Sequence, residues 1–329
     1  MLNFVMMKNA KPKPSIIFFG TPEFAASQLI AILDAEIEVK AVITAPDKPA
    51  GRGKKLQQSA VKTLAIKEGL TLLQPPNLKH PDFISSLQAM NADIFVVVAF
   101  RMLPAEVWKI PPMGTFNLHA SLLPQYRGAA PINRAVMNGE TKSGLTTFLL
   151  NDKIDEGSIL KQKQMSIAAD ETAGSLHDRM MHAGKTLVVE TIYGLASKRL
   201  SPQPQQMSEK LLKAPKIFKE DCRINWKNDL KTIYNQIRGL SPYPGAFTVL
   251  INKVSGQELV LKIFQSELHL GQNTTGFYTL KADQKSNLII IHPEGDLVLK
   301  EVQIPGKRPM PARDFLNGFD MSGSWKVEV

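Results

Sequence analysis

A single cysteine, Cys222, leaves this chain without an intramolecular disulfide and without the paired thiols of a zinc ribbon or finger. That usage fits a reducing compartment, so the expected location is the cytoplasm, and no metal is expected. Long hydrophobic runs are also lacking. The most apolar stretch, Ile94 to Phe100, is far too short to cross about 30 Å of hydrocarbon, so no membrane association is expected. Its β-branched residues suit a buried strand instead. Glycine is sparse where nucleotide-binding loops need it. The first apolar segment ends in Gly20-Thr21-Pro22-Glu23, with one glycine in place of Gly-x-Gly-x-x-Gly, so the backbone nest for a dinucleotide pyrophosphate is missing. No Gly-x-x-x-x-Gly-Lys-Ser/Thr loop occurs either. These absences argue against a nicotinamide dehydrogenase and a P-loop nucleotide hydrolase.

The chain does carry positive charge and a regular alternation of elements. Forty Lys and Arg against thirty Asp and Glu give a net charge of +10, which favours polyanionic partners such as nucleic acid. Its 329 residues exceed what one core usually supports and point to two domains. Residues 1–14 read as a disordered tail, with Lys8, Lys11 and Lys13 following the apolar residues, the reverse of a secretory signal. Ser15 to Gly20 predicts a strand buried on both faces, and Thr21-Pro22-Glu23 a helix start with the Thr21 hydroxyl as cap. Apolar segments recur at Val39 to Thr44, Leu70 to Gln74, Ile94 to Phe100 and Thr115 to His119, separated by amphipathic stretches such as Ser59 to Glu68 and Pro81 to Met90. This alternation predicts a mostly parallel, Rossmann-like α/β sheet with helices on both faces. Pro- and Gln-bearing segments then break the periodicity. Beyond them a helical pattern at Asp229 to Arg238 precedes short β-like runs, including Gly276 to Leu280, that predict a small barrel or sandwich. The expected organisation is an α/β domain at 15–204, a linker at 205–220 and a β-domain at 221–329.

The segment Thr115-Phe-Asn117-Leu-His119-Ala-Ser121-Leu-Leu-Pro124 carries the most chemistry. Residues two apart on a strand project to one side, so Asn117 and His119 would face the crevice beyond the sheet's carboxyl edge, where open α/β sheets bind ligands. Further on, Ile154-Asp155-Glu156-Gly157 offers a carboxylate at a turn. An amide, an imidazole and a carboxylate together can stabilise an oxyanion and move protons.

These motifs resemble the methionyl-tRNA formyltransferase family. The resemblance rests on Gly20-Thr-Pro-Glu-Phe-Ala25, Asp47-Lys-Pro-Ala-Gly-Arg-Gly-Lys-Lys-Leu56, Asn117-Leu-His119-Ala-Ser-Leu-Leu-Pro124, Arg127-Gly-Ala-Ala-Pro-Ile132 and Asp155-Glu-Gly157. It continues through Ala214-Pro-Lys-Ile217, Arg238-Gly-Leu-Ser-Pro-Tyr-Pro-Gly245 and Gly306-Lys-Arg308, so it covers nearly the whole chain. It implies a formyltransferase α/β domain followed by an oligonucleotide-binding-like (OB-like) β-barrel. It also implies transfer of the formyl group of 10-formyltetrahydrofolate, a co-substrate rather than a tightly bound cofactor, to the α-amino group of methionyl-initiator tRNA for translation initiation. The implied catalytic set is Asn117, His119 and Asp155. Folate contacts are implied at Ser121, Leu122, Leu123 and Pro124, which read equally as a turn leaving the strand with two core leucines. Phe100, Arg101, Met102 and Leu103 would border the pterin pocket, although this stretch lacks the glycine of the commoner family pattern. The family expectation is a monomer.

Pro46 to Lys62 is longer than the usual βα connection of about 2 to 6 residues and holds Lys48, Arg52, Lys54, Lys55 and Lys62 against Asp47. It reads as a flexible basic loop. The resemblance implies that it enters the tRNA acceptor arm, with Arg52 foremost and Lys54 and Lys55 in support. Two rival readings remain: a folate-dependent formyltransferase acting on a small amine, such as glycinamide ribonucleotide or an amino sugar, and a noncatalytic RNA-binding module on the same fold.

Overall fold

The computed structural model describes residues 14–50, 55–206, 211–282, 287–319, 321 and 324–329. Residues 1–13 of the tail expected at 1–14, Arg52 and Lys54 lie outside the described residues, and Pro14 is buried. The chain forms two compact units: residues up to Gly128 with Gly144–Met165 and Asp178–Lys213, and Ala129–Ser143 with Ser166–His177 and Ala214–Val329.

The first half of the chain runs β1 (Ser15–Gly20), α1 (Glu23–Asp34), β2 (Glu38–Ile43), α2 (Ala60–Lys67), β3 (Leu72–Leu73), α3 (Pro81–Ala89), β4 (Ile94–Val98) and β5 (Thr115–His119). It continues through α4 (Pro131–Met137), β6 (Lys142–Leu149), β7 (Ile159–Ser166) and α5 (Ala173–Ala196). The sheet order is β7-β6-β5-β4-β1-β2-β3. β1 pairs in parallel with β2 and β4, and β4 with β5, whereas β5 and β6 are antiparallel. Ile16, Ile17, Phe18 and Phe19 are all fully buried, as a central strand covered on both faces requires. On one face Ile17 and Phe19 join Ala41, Ile43, Phe95, Val97 and the α3 residues Phe83 and Leu87 in one core. Burial of such a side chain contributes about 1.5–3 kcal/mol each. The chain moves outward from β1 to β3, then returns to β4 on the other side of β1. This reversal opens a crevice at the carboxyl ends of β1 and β4.

Three local expectations are corrected. The Thr21 hydroxyl caps nothing: α1 starts at Glu23 with Pro22 as its cap, and the Pro22 carbonyl accepts from the amides of Ala25 and Ala26. The basic loop contains a short antiparallel pair, Lys48–Ala50 with Lys55–Gln57, and Lys62 lies outside its free charge because its Nζ bonds Asp47 Oδ2 at 2.6 Å. The run Gly276 to Leu280 is largely a turn, with Gly276 at φ +74° and Tyr278 at +63°, and the strand begins at Leu280.

In the second unit α6 (Leu230–Leu240) is capped by Asp229, whose carboxylate accepts from the Thr232 amide at 2.8 Å. There follow β8 (Ala246–Asn252), β9 (Glu258–Leu270), β10 (Leu280–Ala282), β11 (Leu288–His292), β12 (Gly295–Gln303), β13 (Met310–Pro311), α7 (Ala312–Gly318) and β14 (Trp325–Val327). The antiparallel sheet runs β10-β11-β12-β9-β8-β14, with β13 on β12. Its ends meet where the Val327 amide donates to the Tyr278 carbonyl at 2.8 Å, which nearly closes a barrel and removes the exposed edge. Leu230, Ile233, Ile237 and Leu240 place one face of α6 in the barrel core with Leu250, Leu261, Ile263, Leu297 and Trp325. The parallel α/β sheet and the OB-like barrel are the two architectures read from the sequence. Among the described residues no helix is long and apolar enough to cross a membrane.

Candidate active site

β5 ends at His119, and its alternation puts Asn117 and His119 on one side of the strand. His119 is 6% exposed, and its ring stands edge-to-face with Phe148 at 6.5 Å between centroids. Its Nε2 lies 2.9 Å from the Tyr126 carbonyl oxygen. A carbonyl only accepts, so this bond fixes the proton on Nε2 and leaves Nδ1 as the nitrogen that can change state. Nδ1 faces Asp155 Oδ2 at 4.0 Å, a gap that one reacting atom or a bridging water can exploit. On the same side of β5 as His119, Asn117 Oδ1 is buried with no hydrogen-bond partner among the described residues. A buried unpaired acceptor calls for an explanation, and an N–H of a bound substrate would satisfy it. The structure thus brings His119 and Asp155 together and sets Asn117 on the same side of β5 as His119.

Asp155 is held there by its turn. Its backbone has φ +54°, a left-handed conformation uncommon outside glycine, and such outliers persist where surrounding contacts over-determine them. Asp155 Oδ2 accepts the Gly128 amide at 2.9 Å. Gly157 presses so closely on β6 that an added Cβ would sit 1.6 Å from the Leu149 carbonyl oxygen. Gln205 binds the turn from outside, its Nε2 donating at 2.8 Å to the carbonyls of both Asp155 and Gly157. Gln205 Oε1 in turn accepts from Arg127, which pairs with Glu156 at 3.0 Å. Sequence reasoning missed Gln205, placing it at the start of a linker. Its Pro/Gln-rich surroundings give no periodic signal, and it acts through backbone carbonyls.

The remaining candidates lie around this cluster. The Ser121 hydroxyl is buried and donates to the Gln125 carbonyl at 2.6 Å. The Ser121 carbonyl accepts from Thr146 Oγ1, which itself accepts the Leu123 amide. Leu122 packs over Gly144, Leu123 is buried and Pro124 follows a cis peptide bond. At the carboxyl ends of β1, β2 and β4 a cavity of about 420 Å³ is lined by Thr21, Ala45, Lys48, Pro76, Phe100 and Arg101. Phe100 packs edge-on against Phe19 at 5.8 Å. Arg101 donates to the carbonyls of Pro75 and Pro76 and so forms the wall between this cavity and an outer one of about 550 Å³. Met102, 76% exposed, lines the outer cavity, whereas Leu103 is buried in the core under α3. Near the cavity Asp47 is held below the usual carboxylate range by hydrogen bonds from Lys62 and Gln74. The backbone of Lys55 lies in the short strand pair, and Arg52 and Lys54 lie outside the described residues.

A doubly covered parallel sheet with an amide, an imidazole and a carboxylate at its carboxyl edge, joined to a nearly closed barrel, defines a class of α/β group-transfer enzymes. Residues 14–192 match the family described as formyl transferase, and residues 216–320 match its C-terminal domain. The chain belongs to the formyl transferase family. It is 45% identical over 317 residues to the methionyl-tRNA formyltransferase of Bacteroides fragilis, covering 95% of this chain and 98% of that one. It is 46% identical over 315 residues to that of Flavobacterium johnsoniae, covering 96% and 99%. Among solved structures it resembles HypX from Aquifex aeolicus in complex with tetrahydrofolic acid, with a TM-score of 0.61 at 19% identity over 95% of this chain and 48% of that chain, a likeness of fold.

Proposed function

We propose that this protein transfers the formyl group of 10-formyltetrahydrofolate to the α-amino group of methionyl-initiator tRNA. Full-length similarity to relatives bearing the methionyl-tRNA formyltransferase name supports the substrate pair. The arrangement that carries the chemistry is the His119–Asp155 pair at the end of β5, with Asn117 on the same side of that strand. The folate supplies an activated formyl carbon. As the amine nitrogen bonds to that carbon, the formyl oxygen gains negative charge. The Asn117 side-chain N–H and a protonated His119 Nδ1 are the donors assigned to it. The amine loses one proton and the departing folate nitrogen gains one, so the site need only move a proton between neighbours. Nδ1 does this because Nε2 is committed to the Tyr126 carbonyl and Nδ1 is the nitrogen that faces Asp155. Holding both substrates in one crevice removes the entropy of their encounter from the chemical step.

The cavity bounded by Phe100 and Arg101 supplies the folate side of this crevice together with the Ser121–Pro124 turn, and the basic residues Arg52, Lys54 and Lys55 contact the RNA. Mass spectrometry of RNA from a reaction with methionyl-tRNA and 10-formyltetrahydrofolate should show N-formylmethionyl-tRNA. Formylation of glycinamide ribonucleotide or an amino sugar instead would overturn the reading. Arg52→Ala should raise the Michaelis constant for tRNA about tenfold or more while leaving that for folate unchanged, and should flatten the salt dependence of RNA binding.

A further inference from the structure

The second unit holds a cavity of about 500 Å³ that takes no part in the chemistry above. One wall is a face of α6: Lys231, Tyr234, Asn235 and Arg238 stand at i, i+3, i+4 and i+7, beside the apolar face that enters the barrel core, with Tyr234 at the border and packed partly against that core. Exposed helix faces are ordinarily polar, but this one is not exposed where it matters. Arg238 is 6% and Asn235 8% accessible. A buried guanidinium requires partners for its donors. Its Nε donates to Asn235 Oδ1 at 2.8 Å and Nη1 to the Glu171 carbonyl at 3.0 Å. These bonds leave Arg238 Nη2, Asn235 Nδ2 and the Tyr234 hydroxyl, all from residues that line the cavity, to meet a bound group.

The Arg238 guanidinium carbon lies 6.0 Å from the Tyr234 ring centroid, so a planar group seated on the ring would also reach the guanidinium. The opposite lining supplies acceptors, Asp170 and Glu267, the latter already paired with Lys300 at 2.9 Å. Behind Asn235, Gly139 has φ +70°, and a Cβ there would fall 2.6 Å from Nδ2, so glycine permits the close approach that fixes the amide. Burial raises the Tyr234 phenol above its ordinary value, which keeps it a neutral donor.

We propose that this cavity binds one guanine nucleotide, its base on Tyr234, with Arg238 and Asn235 donating to O6 and N7 and Asp170 accepting from N1–H and N2–H. Guanine fits because it presents two adjacent acceptors on one edge and two adjacent donors on another, whereas adenine sets a donor beside N7 and would oppose the guanidinium. The stack on Tyr234 gives affinity and the edges give the choice. The nucleotide can be free or an unpaired guanosine of an RNA, and the chemistry is the same.

The test is calorimetric titration of the full-length protein with GMP and with AMP, which needs no turnover and so stands apart from any failure of the formyl-transfer reading. GMP should bind about tenfold or more tightly than AMP. Tyr234→Ala should weaken GMP about tenfold, and Asp170→Asn should reduce the preference for GMP without unfolding the barrel. No GMP binding, equal binding of both nucleotides, or GMP binding unchanged in both variants would overturn the proposal. If GMP raises the Michaelis constant for methionyl-tRNA in wild type but not in Tyr234→Ala, the natural occupant is a guanosine of the RNA. An unchanged constant, with GMP bound, assigns the cavity to a free nucleotide.

Discussion

The two polar constellations of this molecule are built in opposite ways. At the end of β5 the groups come from three places: Asn117 and His119 from a strand, Asp155 from a turn at φ +54°, and the bonds that hold that turn from Gly128 and Gln205. On α6 the helix alone sets the spacing, and Arg238 is anchored by Asn235 three residues before it and by the Glu171 carbonyl. A site assembled from distant segments depends on backbone geometry, because the 4.0 Å between His119 Nδ1 and Asp155 Oδ2 exists only while the turn stays in place. The second cavity depends more on its side chains, since Tyr234, Asn235 and Arg238 take their spacing from one helix. Substitutions that move backbone should therefore damage the first far more than the second.

The largest effect is expected at the reacting groups. His119→Ala should lower kcat by about 10² to 10³ or more while folate binding, followed by fluorescence titration, stays near normal; near-normal turnover would remove His119 from the mechanism. Next comes Gly157→Ala, where the new Cβ must displace the Leu149 carbonyl oxygen. Overpacking of this kind costs about 1–3 kcal/mol, and because the turn carries Asp155, kcat should fall together with Tm. A variant that lost stability but kept kcat would show that the turn's position is not what the chemistry requires. Gln205→Ala should be milder, about 1 kcal/mol in urea unfolding, with kcat reduced more than the Michaelis constant for either substrate. None of the three should alter nucleotide binding at α6.

The same contrast governs what the sequence reveals. Asn117 and His119 were legible as a pair because a strand's period of two puts them on one side of β5. Asp155 was legible only through its motif, since nothing in a turn's composition says what it packs against. Gln205 was not legible: it works through backbone carbonyls, whose positions only the fold determines. The capping role read for Thr21 failed because Pro22, with extended backbone and a carbonyl that accepts the Ala25 and Ala26 amides, takes the cap position itself. The helix of the second unit was read at nearly its true limits, yet the burial of its polar face was not, because that burial comes from β9 and from segments 139–141 and 167–170. In both regions element existence came from local pattern, and the partners of polar atoms came from long-range packing.

The smallest expected effect lies at the edge of the first site, where Asp47 precedes the short strand pair. Hydrogen bonds from Lys62 and Gln74 hold its carboxyl below the usual range in the folded chain. A folded value lower than the unfolded one means that the native state binds the proton less readily, so ionised Asp47 favours folding above the unfolded carboxylate value. That contribution is lost as pH falls through the folded value. Thermal melts of wild type and Asp47→Asn should therefore differ near neutral pH, with wild type the more stable, and converge in acid. Because Asp47 is close to solvent, added salt should also narrow the gap at neutral pH. A gap that persisted unchanged in acid would mean that the amide fails for steric reasons and that the Lys62 pairing contributes nothing.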